Sequence, residues 1–256
     1  MSEKAGNSLE RVLSVLQVFT EERLEWTPEE LMEELGYSRP TLYRYLKTLK
    51  EAGLLVSMPN AGFTLGPKVV EMDYLMRQSD PVIKIGHMHL ENLTKKYSCT
   101  ALLVRWYGNR ILCVDSVSST KNPISSYPRG RPMPLARGAI ARSIVAFLPK
   151  RRMVPLVEAS MAEFRSVGLG DTLEDVVESL RRVRKAGCAV AYGEVTPGVV
   201  GIAAPIFDTG QSPVASVCTT IAGNLVDGTV IDEISRNVRQ VAADITEEMS
   251  RSRHKE

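Results

Sequence analysis

No stretch of this 256-residue chain stays apolar long enough to span a bilayer, and the opening MSEKAGNS lacks the apolar core of a secretory leader. Cysteine is scarce. Cys99, Cys113, Cys188 and Cys218 are scattered, with no C-x-x-C pair. That pattern argues against a disulfide framework and for a reducing compartment, so a cytoplasmic protein is expected, with no membrane partner. Histidine is rarer still. Of the three, His87 and His89 lie two apart in a helical pattern, which sends them to different faces rather than into a chelating pair. The sequence holds no G-x-S-x-G, no H-E-x-x-H, no G-x-G-x-x-G and no phosphate-loop pattern. Cys188 and Cys218 sit in apolar strand patterns and read as small buried hydrophobes. No catalytic residue, metal ligand or cofactor is therefore expected. Net charge is only +2, so there is no global cationic field, and residues 1–79 carry more acids than bases. Nucleic-acid binding would have to come from a local patch.

Such a patch is present. From Ser38 to Leu55 the chain reads SRPTLYRYLKTLKEAGLL, with Arg39, Arg44, Lys47 and Lys50 before the first acid at Glu51. Leu42, Leu46 and Leu49 recur at helical spacing, so one stripe is apolar and another basic. Ser38 is expected to cap this helix and Gly53 to stop it. Upstream, Thr27-Pro28-Glu29-Glu30 has a cap residue, a first-turn proline and the reciprocal acid of a capping box. Leu31, Met32 and Leu35 supply that helix's inward stripe, and Gly36 turns the chain. An earlier helix is expected from Ser8 as cap, with Leu9, Val12, Leu13, Leu16 and Phe19 facing inward. After Gly53 two short strands are expected, Leu54 to Val56 and Phe63 to Leu65, around the turn Pro59-Asn60-Ala61-Gly62. Three helices followed by a hairpin is the order of a winged helix-turn-helix.

Residues 68–78 form a short helical stretch that reads as a linker. Beyond Asp80-Pro81 the rhythm mixes helix and strand, which predicts an α+β domain with a mainly antiparallel sheet. A helix is expected over 81–97 with Ile85, Met88 or His89, and Leu93 on one side. Strands are expected over 100–105, 110–117, 188–192, 201–207 and 213–221. Further helices are expected over 137–148, from Thr172 to the stop at Gly187, and from 229 to the end. Two stretches stand out. In the first, from Gly130 to Ala139, small residues open a helix whose N–H groups favour an anion, as do Arg129, Arg131 and Arg137. The second, from Gly193 to Val199, sets Glu194 in a turn before an apolar strand. Tight packing and a solvated acid account for these two stretches as well as a ligand site does.

Together these pieces resemble the IclR family of bacterial transcriptional regulators over nearly the whole chain. The resemblance rests on Ser8 to Phe19, on Ser38 to Leu55, on Gly62-Phe63-Thr64-Leu65-Gly66, on Leu135 to Pro149, and on Gly193-Glu194-x-x-Pro197-Gly198-Val199-x-Gly201-Ile202-Ala203-Ala204-Pro205. It departs from the family at Ala139-Ile140-Ala141-Arg142-Ser143, where A-x-G-K-A is common. The resemblance implies a winged helix-turn-helix over 1–66, a linker helix over 67–80 and a GAF-like effector-binding domain over 81–256. It also implies a homodimer, or a dimer of dimers, on operator DNA. The expected DNA-binding residues are Ser38, Arg39, Thr41, Tyr43, Arg44 and Lys47. The expected effector-binding residues are Arg129, Gly130, Leu135, Arg137, Gly138, Ala139, Glu194, Ser216, Cys218 and Thr219. The function expected is a transcriptional regulator of a catabolic operon, switched by a small anionic metabolite. The alternative is a ligand sensor that acts through protein contacts, to which the acidic first region lends weight. An enzyme built on the second region would lack any recognisable nucleophile and base.

Overall fold

The computed structural model describes residues 7–59, 62–123 and 127–253. Its chain divides into two compact units after Ser79. In the first unit, helix α1 (Ser8–Gln17) is capped not by Ser8 but by Asn7, whose side chain accepts from Leu9 and Glu10 while Glu10 reaches back. Helix α2 (Pro28–Leu35) has the expected box: Thr27 Oγ1 accepts from the Glu30 N–H at 3.3 Å, and Glu30 accepts from the Thr27 N–H at 2.8 Å. Gly36, at φ 67°, ends it in the left-handed conformation that favours glycine. Helix α3 (Arg39–Glu51) starts at Ser38 without a side-chain cap; the Ser38 hydroxyl donates to Thr41 Oγ1 at 3.0 Å.

Strands β1 (Leu55–Ser57) and β2 (Phe63–Leu65) pair as a hairpin, and Trp26 bridges to Phe63 on its free edge. The expected turn between them falls partly on residues 60 and 61, which lie outside the described residues. Leu31, Leu42, Leu46, Leu49 and Leu55 form the buried centre with Val15, Trp26 and Tyr45. Leu9 and Leu13 were expected inside and are not: they are 71% and 53% exposed, since α1 turns Val12, Val15 and Leu16 inward instead. Helix α4 (Pro67–Ser79) closes the unit without a single buried residue.

In the second unit, α5 (Pro81–Lys96) is followed by β3 (Thr100–Trp106), β4 (Ile111–Ser118) and the two-residue β5 (Pro132–Met133). Then come α6 (Gly138–Val145), α7 (Lys150–Ala159), α8 (Met161–Ser166) and α9 (Leu173–Ala186). Strands β6 (Ala189–Tyr192), β7 (Val199–Phe207) and β8 (Pro213–Ala222) precede the last helix, α10 (Gly228–Arg253). The sheet order is β5-β4-β3-β8-β7-β6, antiparallel throughout. Helices α7 and α8 carry no sequence signal that marks them: Pro155 lies inside α7, and neither helix has a side-chain cap. Helix α5 buries Val82, Ile83, Gly86, Leu90 and Leu93; of the alternatives Met88 or His89, Met88 is 67% exposed and His89 is half-buried.

Both faces of the sheet are covered. Ala215, Val217 and Ile221 of β8, with Val200, Ile202 and Ile206 of β7, pack against α5 and α10. On the opposite face Cys218 and Ala203 pack with Ala139, Ile140 and Ile144 of α6. Helix α6 is buried along its whole length, which is why its sequence is apolar on nearly every side. Among the described residues no helix is long and apolar enough to cross a membrane.

The first unit's centre is small, so losing one leucine there should be felt. Leu46→Ala is expected to lower its stability by about 2–5 kcal/mol, read as a shift in the urea midpoint of circular dichroism; a shift below a tenth of that would show that α3 is not held by this stripe.

Candidate effector cavity and nucleic-acid face

The burial of Leu42, Leu46 and Leu49 fixes the roll of α3. Ser38, Arg39, Tyr43, Arg44 and Lys47 are accordingly exposed, and Thr41 is half-buried. The arginines rest on aromatic rings, Arg39 over Tyr43 at 5.4 Å and Arg44 over Tyr45 at 5.5 Å. Lys47 lies 3.8 Å from Glu51, an exposed pair of small energetic weight. One face of α3 is thus cationic and hydroxylated while α2, beside it, is acidic. Such a face can reach phosphates and base edges in a groove wide enough to admit a helix.

The second unit holds a small cavity of about 40 Å³ between the start of α6, the turn after β6 and strands β7 and β8. Of the residues expected at an effector site, Arg137, Gly138, Ala139, Glu194 and Cys218 line it. Gly138 has φ 84°, and a Cβ there would come within 2.9 Å of Val195 Cγ2, so glycine is required by both backbone and space. The other expected residues lie outside the wall. Arg129 is turned back to donate to the Val114 carbonyl, and Gly130 and Leu135 are not part of the lining. Ser216 lies under α6, hydrogen-bonded to Ser143 at 2.8 Å. Thr219 is one residue out of phase with Cys218: strand alternation turns it to the α5 and α10 face, where its buried Oγ1 has no partner among the described residues. Thr220, back in phase with Cys218, lines the cavity instead.

Three contributions were not foreseen. Tyr127 and Thr196 close one side through a 3.2 Å hydroxyl contact. Met133, Ile140 and Val199 supply apolar wall. The third is Arg142, which lies behind the wall and outside the lining itself, 7% exposed and ion-paired with the lining residue Glu194. The other oxygen of Glu194 accepts from the Gly138 N–H at 2.9 Å. One carboxylate therefore answers both the first free N–H of α6 and a buried guanidinium. Arg142 could have been found from the helical register of 138–145, because a cation one turn into a buried helix needs an internal partner. Arg137, on the rim, faces Glu163 at 3.9 Å.

The histidines part as their spacing requires: His87 meets Asp115 at 2.7 Å and His89 meets Glu248 at 3.1 Å. Among the described residues no group of His, Cys, Asp and Glu could hold a metal. Burial pushes the thiol of Cys99 up to about 12 and that of Cys113 up to about 11, and raises those of Cys188 and Cys218 as well. At neutral pH these are protonated thiols, not thiolate nucleophiles.

A family model described as the IclR helix-turn-helix domain matches residues 8–59, and one described as the C-terminal region of bacterial IclR transcriptional regulators matches residues 74–247. The transcriptional regulator KipR of Bacillus subtilis is 28% identical over 200 residues, covering 77% of this chain and 78% of that protein. A candidate IclR regulator from a Silicibacter species has a similar structure, with TM-score 0.81 at 19% identity and coverage of 95% and 96% of the two chains. An IclR homologue from Microbacterium hydrocarbonoxydans, solved with 4-hydroxybenzoate, gives TM-score 0.75 at 18% identity, covering 95% of this chain and 99% of that one.

The buried thiols carry a pH signature. Their folded-state values lie above those of the unfolded chain, so the unfolded state releases protons first as pH rises. The associated stability is complete below about pH 9 and declines toward the folded values near 11 and 12. Melting temperature is expected to fall between pH 8.5 and roughly 10.5, and less steeply in the C99A/C113A double variant; identical slopes would show that the thiols are not the cause.

Proposed function

The chain belongs to the IclR family of bacterial transcriptional regulators, and from that footing we propose that it binds operator DNA through α3 under the control of a small organic acid. The acid is bound at the start of α6. The observation that carries this reading is the convergence of Arg142 and the Gly138 N–H on one carboxylate at the cavity wall. A site that holds a carboxylate of the protein itself has the geometry to hold one from a metabolite. The 4-hydroxybenzoate bound by the Microbacterium homologue is a small organic acid as well, which supports the same class of ligand here. A ligand of this kind suits control of a catabolic operon, whose substrate would report its own supply.

We assign DNA binding to residues 1–66, a linking helix to 67–80 and effector binding to 81–256. Arg44 is the foremost candidate for a base contact, with Arg39, Tyr43 and Lys47 beside it and Ser38 and Thr41 on phosphates. A homodimer, or a dimer of such dimers, is the assembly we infer. Helix α4 exposes Val70, Met72, Tyr74, Leu75 and Met76, and α1 exposes Leu9 and Leu13. Exposed apolar side chains gathered on a helix suit an interface, and a helix with nothing buried in its own chain gains stability from a second copy. The competing reading, a sensor acting through protein contacts, draws on the acidic surface of α2, and the salt dependence of DNA binding separates the two.

Duplexes selected by the protein from a random pool provide the operator for these tests. Arg44→Ala is expected to weaken binding by about 1–3 kcal/mol and to relax specificity at one position, as measured by fluorescence anisotropy. Affinity of the unaltered protein should fall steeply with salt, because phosphate contacts release counterions. A flat salt response would favour the protein-contact reading. A thermal-shift panel of organic acids should yield a ligand that raises the melting temperature, and that ligand should change operator affinity. In sedimentation, Y74E/L75E is expected to dissociate the assembly; unchanged mass would remove α4 from the interface.

A further inference from the structure

The anion-binding end of α6 already has a ligand, and that ligand is covalently part of the chain. Glu194 accepts the Gly138 N–H through one oxygen and the Arg142 guanidinium through the other. An effector bearing a carboxylate meets these donors engaged. We propose that Glu194 is the resident ligand of the cavity and that an organic acid enters by exchanging its own carboxylate for that of Glu194. The proposal rests on the reading of this cavity as an effector site.

Several observations fit an exchangeable contact rather than a fixed strut. Arg142 is more than nine-tenths buried, and its Nε has no hydrogen-bond partner among the described residues. A guanidinium can present two parallel donors to one carboxylate, and here the second is left over. An incoming acid could engage Nε as well, a contact that Glu194 does not make. Glu194 itself sits on a turn, not within a strand: Gly193 and Gly198, both at positive φ, bracket residues 194–197 between β6 and β7. The Gly193 N–H to Val199 carbonyl bond, 2.8 Å, closes the base of that turn independently of the side chain. The side chain can therefore leave without unzipping β7. Arg137 does not hold it, being turned to Glu163.

The exchange conserves charge. One carboxylate replaces another on the same donors, and Glu194 moves to water. No covalent bond changes. The ligand so defined carries a carboxylate at the α6 end and an apolar body that extends along Met133, Ile140 and Val199 as Glu194 vacates its place. A neutral amide of the same shape would leave Arg142 with Glu194 and gain nothing from the exchange.

The test needs no knowledge of the natural effector. Glu194→Ala leaves the donors free, so acetate should raise this variant's melting temperature while acetamide does not, and R142M/E194A should lose the acetate response. Glu194→Gln keeps the shape and weakens the competitor. By calorimetry it is expected to bind benzoate about tenfold more tightly than the unaltered protein, equivalent to about 1.4 kcal/mol. Equal responses of acetate and acetamide on Glu194→Ala would overturn the exchange. So would equal responses of the unaltered protein and Glu194→Gln to benzoate, including none from either. If Glu194→Ala does not fold, the glutamine variant decides alone. Acetate capture by Glu194→Ala with no acid from the panel changing operator affinity would keep the exchange site and sink the effector reading.

Discussion

A helix buried on all sides must find partners for its polar groups inside the protein, and α6 is such a helix. Its opening N–H groups have no intrahelical acceptor, and Arg142, one turn in, brings a full charge into the same apolar layer. The rest of the second unit is arranged so that both demands can be met. The sheet supplies the floor beneath α6, α9 covers its flank, and the turn after β6 reaches back to deliver Glu194. Arg184 of α9 answers the other end, donating to the carbonyls of Ala146 and Leu148 just past the helix. Each end of α6 is thus held by a side chain from another element. The cavity lies at the end held by a carboxylate.

The acidity of the first unit has a structural origin that leaves the face of α3 intact. Glu30 belongs to the capping box of α2 and also pairs with Arg23. Glu29 stands in the same first turn, where a negative charge suits the helix dipole. Glu10 does the equivalent for α1. These carboxylates stabilise helix starts, and what they cost is non-specific attraction to DNA. The exposed cations of α3 are the counterweight. Binding by this unit should therefore depend on close fit more than on long-range attraction, since the summed field around it is not positive.

Local chemistry made much of this fold legible in the sequence. Thr27 with Glu30, and Thr172 with the stop at Gly187, mark the bounds of two helices because a cap is a contact between near neighbours, as the box between Thr172 and Asp175 at the start of α9 shows. Where the signal depends on distant partners it was weaker. Leu9 and Leu13 have the right period for an inward face, but period reports that a helix is amphipathic and not what covers it. Helix α7 carries a proline and no cap, so nothing local marks it. The cavity shows the same division. Gly138 and Glu194 stand out as unusual residues at loop positions, whereas the phase that puts Thr220 rather than Thr219 at the cavity is hidden, because β8 is buried on both faces and has no polar and apolar alternation to reveal it. Arg142 is marked by its departure from a family pattern and by its place in the register of a buried helix, but neither names its partner. Its partner lies 52 residues away, and pairing across that distance is decided by the sheet.

The pairing of Arg142 with Glu194 also constrains how the cavity can discriminate among ligands. Removing one member of a buried ion pair strands the other and is costly, so a neutral ligand that merely displaced Glu194 would be penalised. Replacing one carboxylate by another avoids that penalty and contributes little net binding energy of its own. The surplus that selects one acid over another must then come from the remainder of the ligand. Met133, Ile140 and Val199 offer apolar contact, and Tyr127, Thr196 and Thr220 offer hydroxyls. A mismatch at the hydroxyls would cost more than a missing methylene at the apolar wall, because an unpaired buried polar group loses its solvation outright. Under the proposed exchange, charge would act as the admission requirement, and the uncharged walls would set the identity of the acid.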